Sequence, residues 1–277
     1  MVMRDKTNSW PRLSLATLDA LPGDVTQPRY DRAATAIGVV HFGPGVFHRA
    51  HQAFYLDRIL ASDPRWAIAG INLHSAGVRD ALKPQDFLYT IAELDAEPRL
   101  HVIGSLREML SAGDRPDAVF SHLTNPSTRL LTLTVTENGY CLNGSKDLDT
   151  DRSDIQHDLR DPSRPTTAIG WIVEALKRRR TNRTAPFSVI SCDNLPDNGR
   201  VLKHAVVQFA DMIAPDLARW IEGEVLFPST MVDSIAPATD AAVTENEGAV
   251  LRDSAKCIAV CPDVRLQGVW AFHHRYS

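Results

Sequence analysis

The segment at residues 39–51 combines residue types and a spacing that can bind a phosphate group. An apolar run ends at Phe42, Gly43-Pro44-Gly45 follows, and residues 51–60 have a composition compatible with a helix. In a strand–G-x-G–helix unit the first glycine permits a tight turn and the second lets the backbone approach a pyrophosphate. The first turn of the helix then offers unpaired N–H groups. His48 replaces the third glycine of the usual pattern. A lone G-x-G is a weak signal, so an ordinary strand-to-helix turn remains the alternative.

The turn and its flanks supply the candidate cofactor contacts. These are Phe42, Gly43, Pro44, Gly45, Val46, Phe47, His48 and Arg49. A dinucleotide fold usually places an acid about 20 to 30 residues beyond the first glycine, where it binds the adenosine ribose. Here Asn72 ends the second predicted strand, and its amide can bind a ribose without repelling a 2′-phosphate. NAD remains the favoured cofactor, and Asn72 leaves NADP open.

The order of predicted elements indicates an α/β fold, a Rossmann-like, doubly wound and mostly parallel sheet covered on both faces. Strands are predicted at residues 37–42, 66–73, 89–93, 100–103, 130–136 and 187–191. Helices are predicted at residues 51–60, 168–180 and 200–213. Residues 1–35 form a lead-in, 36–240 form the dinucleotide-binding domain, and 147–165 are an exposed excursion within it. The motifs follow predicted strands, which is where such sheets bind ligands.

Composition and charge exclude several other classes of protein. With 30 Lys and Arg against 34 Asp and Glu, the formal net charge of −4 does not favour a nucleic-acid surface. The basic run at residues 177–180 is interpreted as a solvated helix end. No apolar run reaches the roughly 18 residues of a membrane span, and the first residues lack the core of a signal peptide. The cysteines are scattered, as in a reducing cytoplasm, and Cys257-x-x-x-Cys261 matches no common zinc pattern, so no metal is expected.

Four segments resemble the mannitol dehydrogenase family of polyol and hexuronate oxidoreductases. They are G-x-G-x-F-H-R-A-H at 43–51, T-V-T-E-N-G-Y-C at 134–141, S-C-D-N at 191–194 and F-P-S-T-M-V-D at 227–233. They keep the family's order, and the resemblance extends over residues 39–240. It implies a nicotinamide-dependent, metal-independent dehydrogenase whose partner is a small sugar acid or polyol.

The resemblance also implies roles for single residues. The resemblance implies that Glu137 contacts the region near the nicotinamide or lines a water channel. The alternative is that Glu137 is an acidic residue of a surface loop. Asn194 and Asp233 match positions that bind the hydroxyl groups of an open-chain sugar, although Asn194 also suits a helix N-cap. The spacing of His48 and His51 is compatible with a metal pair, but the family favours a phosphate-proximal His48 and a packed His51.

The lysine that serves as catalytic base in this family is not found in its motif, K-x-x-x-x-N-x-x-H on a helix of the C-terminal domain. Of the chain's lysines, Lys177 alone has an asparagine five residues on, Asn182, and Ala185 then stands where histidine is needed. No catalytic residue is therefore assigned. Residues 241–277 diverge from the family, so we expect the helical catalytic domain to be missing through truncation, frameshift or a gene-model error.

Three functions remain open at this point. Residues 70–73 and 134–141 are closest to the fructuronate reductases, or D-mannonate oxidoreductases, which favours interconversion of D-mannonate and D-fructuronate. Mannitol 2-dehydrogenase, acting on mannitol and fructose, is the first alternative. An inactive NAD-binding fragment is the second, and without the base we expect no turnover from this chain alone. Apolar surface that a second domain would cover predicts a monomer or weak self-association.

Overall fold

The computed structural model describes residues 12–74, 77–93, 99–231 and 258–260. Its strands are β1 (Ile37–Phe42), β2 (Ala67–Asn72), β3 (Tyr89–Glu93), β4 (Arg99–Ile103), β5 (Leu106–Ser111), β6 (Leu130–Leu133), β7 (Ser188–Ser191) and β8 (Ile258–Val260). Its α-helices are α1 (Val46–Ala50), α2 (Gln52–Leu60), α3 (Gly77–Leu82), α4 (Pro116–Thr124), α5 (Ser153–Arg160), α6 (Ala168–Thr181), α7 (Asn198–Ile213) and α8 (Pro215–Glu224). No helix in these ranges is long and apolar enough to cross a bilayer.

Five parallel strands form the main sheet, in the order β5-β2-β1-β6-β7. The chain moves outward from β1 through β2 to β5, and then crosses to the other side of β1 for β6 and β7. The direction of winding reverses between β1 and β6, and this switch point is where such sheets open a ligand crevice at the carboxyl edge. The predicted Rossmann-like, doubly wound fold is confirmed. A smaller sheet, β4-β3-β8, pairs β3 antiparallel to β4 and parallel to β8.

The apolar character of β1 arises because both faces of the sheet are covered. Val39 packs with Ile68 and Met109 against α2 and the β3–β4 pair. Val40, the next residue, faces the other way and packs with Leu131 against α4, α6 and α7. A strand buried on both faces is expected to be nearly continuous in apolar residues, because each side chain meets a core.

The first helix differs from its prediction at residues 51–60. α1 begins at Val46, directly after Gly45, and the chain bends at His51 (φ −115°, ψ −85°) before α2 continues to Leu60. Valine, phenylalanine and histidine are weak helix formers, so local propensity gave no indication of this first turn. The consequence for the site is that a helix starts immediately behind the glycine turn.

Other regions also differ from the sequence prediction. The strand predicted at 130–136 ends at Leu133, since Thr136 has φ +64°, which a strand does not accommodate. Residues 147–165 are not exposed throughout, because they include α5, in which Asp158 is fully buried. The lead-in is partly core, since Leu13 is buried. The sequence pattern did not predict β5, α3, α4 or α8.

The basic run at residues 177–180 ends α6 and is only partly solvated. The side chain of Lys177 is 45% exposed, whereas Arg179 is 2% exposed. The Arg179 guanidinium donates at 2.7–3.1 Å to four carbonyl oxygens, those of Leu123, Asn125, Thr128 and Ala185. Burial lowers the pKa of Arg179 to about 10. The prediction of a solvated helix end was therefore wrong at Arg179, because the carbonyl groups around it need a donor.

Arg179→Met should lower the free energy of unfolding by about 3 kcal/mol, because four main-chain oxygens lose their donor. Lys177→Met at the same helix end is the matched control. It removes one of the two ion pairs of Glu174, which keeps Arg178 at 2.8 Å, and should cost less than about 1 kcal/mol. Urea unfolding followed by circular dichroism measures both, and equal effects of the two substitutions would contradict the role given to Arg179.

Candidate functional site

A cavity of about 480 Å³ opens at the carboxyl edge of the main sheet. It lies at the switch point between β1 and β6. Its walls come from the turn after β1, the end of β2 and the loop after β6, and they include Gly43, Gly45, Asn72, Thr134 and Thr136. The fold therefore places a ligand-sized space where the sequence motifs meet.

The turn after β1 is fastened to β6 at Gly43. This residue has φ +82°, and a Cβ atom on it would lie 2.2 Å from the carbonyl oxygen of Thr134. Its N–H donates to the carbonyl oxygen of Ile71 at 3.0 Å, and its own carbonyl oxygen accepts from the Thr134 hydroxyl at 2.7 Å. Glycine satisfies both the left-handed backbone and the close approach to β6. Gly43 therefore fixes the position of the turn.

The surroundings of Gly45 differ from those of Gly43. It is the N-cap residue of α1, and a Cβ atom on it would meet nothing closer than the carbonyl oxygen of Gly43 at 3.7 Å. A side chain here would enter open space at the cavity wall. Val46, which is 43% exposed, and Phe47 follow as the first residues of α1. This geometry leaves the backbone at Gly45 open to the approach of a ligand.

Two buried histidines lie together near the turn. The rings of His41 and His48 stack with their centroids 3.4 Å apart. His41 is hydrogen-bonded to Thr132 Oγ1 (2.7 Å) and Thr134 Oγ1 (3.0 Å), and His48 Nδ1 to Gln52 Oε1 (2.9 Å). Burial is the main cause that lowers the pKa of His41 well below its ordinary value and the pKa of His48 to about 3. Both rings are therefore neutral at pH 7.

Phe42, His48 and Arg49 are predicted cofactor contacts that are buried and are not among the residues that line the cavity. Arg49 Nη1 donates to the carbonyl oxygen of Pro44 at 3.0 Å, and Pro44 itself lines the cavity. The structure thus gives Arg49 a supporting position behind the turn. Direct contact of Phe42, His48 or Arg49 with a cofactor stays a prediction.

Asn72 brings an amide to the cavity from the end of β2. The main-chain carbonyl oxygen of Asn72 accepts a hydrogen bond from the N–H of Ala112 at 2.9 Å, and the residue is 7% exposed. Its Nδ2 is buried and has no hydrogen-bond partner in the part of the chain that the structure describes. A buried donor without an acceptor is costly, so this amide is suited to donate to a ligand oxygen.

Asp193 fastens the loop after β6 to the end of β7. Its carboxylate accepts from the N–H groups of Val135 (3.2 Å) and Thr136 (3.0 Å) and from the hydroxyl of Tyr140 (2.9 Å). The Tyr140 hydroxyl also contacts the Ser191 hydroxyl. Burial and the charge of Asp193 raise the pKa of Tyr140 above its ordinary value, so the phenol keeps its proton. Sequence reasoning missed these positioning residues, although both motifs contain them.

Asn198 joins the fourth motif to the same edge of the sheet. Its Nδ2 donates to the carbonyl oxygen of Asp193 and to Thr230 Oγ1, both at 3.0 Å, and its Oδ1 accepts from the Thr230 N–H at 3.0 Å. The Thr230 hydroxyl then donates to the carbonyl oxygen of Ser191 at 2.7 Å. The segments at 134–141, 191–194 and 227–230 therefore meet at one end of the sheet.

The structure describes the positions of two of the three remaining predicted site residues. Glu137 is exposed at the start of a short 3₁₀ helix, between the cavity-lining residues Thr136 and Asn138. Asn194 is exposed and is not a helix N-cap, because α7 begins at Asn198. Asp233 lies outside the described residues. Substrate and cofactor roles for these residues stay predictions.

The structure shows the surroundings of the two histidines considered as a metal pair. His48 stacks on His41, and His51 stacks on Phe47 with the ring centroids 5.1 Å apart. Across the described ranges, no three His, Cys, Asp or Glu side chains are grouped so that they could hold a metal ion. Cys257 and Cys261 lie outside those ranges.

Comparison with known protein families identifies the family of this chain. The Mannitol dehydrogenase Rossmann domain matches residues 37–255. The chain belongs to the mannitol dehydrogenase family. The resemblance of the four sequence motifs is thereby confirmed, and the cavity described above lies in a mannitol dehydrogenase Rossmann domain.

Individual relatives in the mannitol dehydrogenase family support this result. A Polyol:NADP oxidoreductase from Gluconobacter oxydans is 39% identical, over 88% of this chain and 52% of the relative. The D-mannonate oxidoreductase of Escherichia coli is 44% identical, over 77% of this chain and 46% of the relative. The structure of Pseudomonas fluorescens mannitol 2-dehydrogenase in ternary complex with NAD and D-mannitol superposes with a TM-score of 0.85 and 38% identity, over 91% of this chain and 53% of that one. The chain spans about half the length of these relatives.

The stability of this domain should fall as the pH drops below about 6.5. The pKa values of His41 and His48 are depressed in the folded state, so the unfolded chain takes up protons that the folded chain does not. Each histidine then lowers the free energy of unfolding by up to about 1.4 kcal/mol per pH unit between pH 6.5 and the folded pKa. Urea unfolding at pH 7.5 and 5.0 measures this loss.

His48→Asn should reduce that pH dependence, because it removes one of the two buried imidazoles. In a ¹H–¹⁵N NMR titration of the unmodified chain, the rings of His41 and His48 should not titrate between pH 8 and 5. Titration of either ring near pH 6.5 would contradict the neutral buried pair.

Proposed function

We propose that the described α/β region binds a nicotinamide dinucleotide at the switch point, as the cofactor-binding part of an oxidoreductase for polyols or sugar acids. One observation carries this proposal. Gly43, Gly45 and Asn72 share one cavity, with open space at Gly45 and a buried, unpartnered amide donor at Asn72. Membership of the mannitol dehydrogenase family supports it. When bound, the cofactor exchanges a hydride with the carbon that bears the reacting hydroxyl or ketone.

The residues of the cavity fit the parts of a dinucleotide. The backbone at Gly45 would hold the pyrophosphate, because a Cβ position there has no neighbour closer than 3.7 Å. The Asn72 amide would donate to an oxygen of the adenosine ribose. A solved relative with bound NAD supports NAD as the proposed cofactor, and NADP stays open because the uncharged Asn72 amide would not repel a 2′-phosphate. A relative named Polyol:NADP oxidoreductase supports keeping NADP in the test.

For the substrate we favour D-mannonate and D-fructuronate, with mannitol and fructose as the alternative. Asn194 and Asp233 are proposed to bind substrate hydroxyl groups, and Glu137 to lie near the nicotinamide. The motif residues at 134–141 support the sugar acid, and relatives that act on each class are known within the family. Saturation-transfer NMR with D-mannonate and D-mannitol, each in the presence of NADH, tests whether the chain prefers D-mannonate to D-mannitol.

A second candidate function is dinucleotide binding without turnover. The observation that favours it is in the sequence, since no lysine stands in a K-x-x-x-x-N-x-x-H motif. General-base assistance contributes typically about 10²–10⁴-fold to such a proton transfer. An assay with NAD and D-mannonate separates the candidates. Turnover by this chain supports the first, and NADH binding without turnover supports the second.

Gly45→Val should lower NADH affinity by at least about 100-fold, because a branched side chain would occupy the position of a phosphate at the cavity wall. The fold should persist, since a Cβ atom at Gly45 has no neighbour closer than 3.7 Å. Gly23→Val is the matched control, at a glycine with no atoms within 4 Å of its Cβ position. Fluorescence titration measures affinity, and unchanged NADH binding by Gly45→Val would contradict the assignment.

Asn72→Asp should shift the preference further from NADP to NAD. A carboxylate beside a 2′-phosphate adds a repulsion of about 1–4 kcal/mol near a protein surface, so the NADP/NAD affinity ratio should fall about fivefold or more. Asn138→Asp, at another asparagine of the cavity wall, is the control and should move the ratio less. If both variants have the same NADP/NAD affinity ratio as the unmodified chain, Asn72 does not contact the adenosine ribose.

A further inference from the structure

The chain contains three Asn-Gly pairs, at residues 138–139, 143–144 and 198–199. In such a pair the main-chain nitrogen of glycine can attack the side-chain carbonyl carbon of asparagine, because glycine has no Cβ atom to obstruct the approach. The structure gives the three pairs different surroundings. They differ in whether water reaches the amide, whether the attacking nitrogen is occupied and whether the carbonyl group is polarised.

The pair at 198–199 is shielded at the start of α7. Asn198 is fully buried, and its Nδ2 donates to the carbonyl oxygen of Asp193 and to Thr230 Oγ1, both at 3.0 Å. A Cβ atom on Gly199 would lie 2.5 Å from the carbonyl oxygen of Phe227, so the chain at 227–230 covers this pair. Both the amide group and the access of water are therefore restricted.

The pair at 138–139 lies in the short 3₁₀ helix Glu137–Tyr140. Asn138 is exposed, but the N–H of Gly139 donates to the carbonyl oxygen of Thr136 at 3.0 Å. Among the described residues, no N–H group donates to the side chain of Asn138. The attacking nitrogen is therefore occupied, and the carbonyl group that it would attack is not polarised by the protein.

The pair at 143–144 lies in an exposed turn. The N–H of Lys146 donates to the main-chain carbonyl oxygen of Asn143 at 3.0 Å, which closes the turn. Asn143 and Gly144 are both exposed, and the Gly144 N–H has no hydrogen-bond acceptor in the part of the chain that the structure describes. The attacking nitrogen of this pair is therefore unoccupied, and water can reach the amide.

The same turn polarises the side-chain carbonyl group of Asn143. Its Oδ1 accepts from the N–H of Ser145 at 2.9 Å and from the N–H of Asp147 at 3.1 Å. This oxygen gains negative charge when the carbon bonded to it is attacked. Two fixed N–H donors at such an oxygen stabilise the charge, as in the oxyanion holes of enzymes. The turn therefore favours attack on Asn143.

Contacts with α7 hold this turn in place. His204 Nε2 is hydrogen-bonded to Asp147 Oδ1 at 2.8 Å, and Gln208 Oε1 accepts from the N–H of Leu148 at 2.7 Å. The N–H of Asn143 donates to the main-chain carbonyl oxygen of Asp147 at 2.9 Å. The Asp147 N–H is therefore in position before the reaction begins.

We propose that the Asn143-Gly144 turn is a site of spontaneous deamidation, at which the folded chain converts Asn143 to aspartate and isoaspartate. The Gly144 nitrogen forms a bond to Asn143 Cγ and gives up its proton, the bond from Cγ to Nδ2 breaks, and ammonia leaves. Water then opens the resulting succinimide. Opening at Cγ yields aspartate, and opening at the main-chain carbonyl carbon yields isoaspartate. No atom is oxidised or reduced.

The test incubates the unmodified 277-residue chain at pH 8 and follows all three asparagines by peptide mass spectrometry with electron-transfer fragmentation, which separates aspartate from isoaspartate. In the folded chain Asn143 should be converted at least about tenfold faster than Asn138, since a fixed oxyanion donor contributes typically about 10²–10³-fold in enzymes. Asn198 should not be converted. In guanidinium chloride the three rates should become similar, because the Asn-Gly sequence alone then determines them.

Gly144→Ala should slow the conversion of Asn143 several-fold, because the added Cβ atom hinders the attacking nitrogen. The fold should persist, since a Cβ atom at Gly144 has no neighbour within 4 Å. Gly113→Ala is the matched control, at another glycine with open space at its Cβ position, and should leave the rate unchanged.

Two results would overturn the proposal. The first is conversion of Asn143 in the folded chain that is absent or no faster than that of Asn138. The second is slower conversion of Asn143 in the folded chain than in guanidinium chloride, since the turn would then protect the amide. A rate in the folded chain that equals or exceeds the unfolded rate, and that falls in Gly144→Ala alone, supports it.

Discussion

The close approach of the β1 turn to β6 is the constraint on which the site depends. At Gly43 the backbone passes so near Thr134 that a side chain would overlap a carbonyl oxygen, and the Thr134 hydroxyl closes the contact. The loop that follows Thr134 is held in turn by Asp193 at the end of β7. Three neighbouring strands therefore set the position of one cavity wall, and the open backbone at Gly45 lies beside it because Gly43 cannot shift.

The buried polar groups of this domain offset the free-energy cost of burial in different ways. His41 and His48 avoid the cost of a buried charge by remaining neutral. Asp158 accepts four hydrogen bonds from Thr166 and Thr167, and so holds the start of α6. Asn72 Nδ2 and His48 Nε2 are both buried and lack a hydrogen-bond partner within the described structure, but only Asn72 of the two lines the cavity. An unpartnered donor at the cavity wall is suited to bind a ligand oxygen.

Local patterns in the sequence predicted the parts of this site that depend on neighbours along the chain. The strand, the glycine turn and the polar residue ending β2 each follow from short-range rules, and the order of strands and helices indicated the sheet. The bond from Tyr140 to Asp193 joins residues 53 positions apart, and no periodicity reports such a contact. The same holds for Asp158 and Arg179, whose charge suggested exposure, because composition does not show which carbonyl or hydroxyl groups will surround them.

The central claim is that the cavity at the β1–β6 switch point holds a nicotinamide dinucleotide. It is tested most directly by recording ¹H–¹⁵N NMR spectra of the chain as NADH is added. Shifts should concentrate at the amides of Gly43 and Gly45, at the side-chain NH₂ of Asn72 and in the loop after β6, with α8 unaffected. Saturable shifts confined to these positions would establish the site. Shifts centred elsewhere, or none at millimolar NADH, would contradict it.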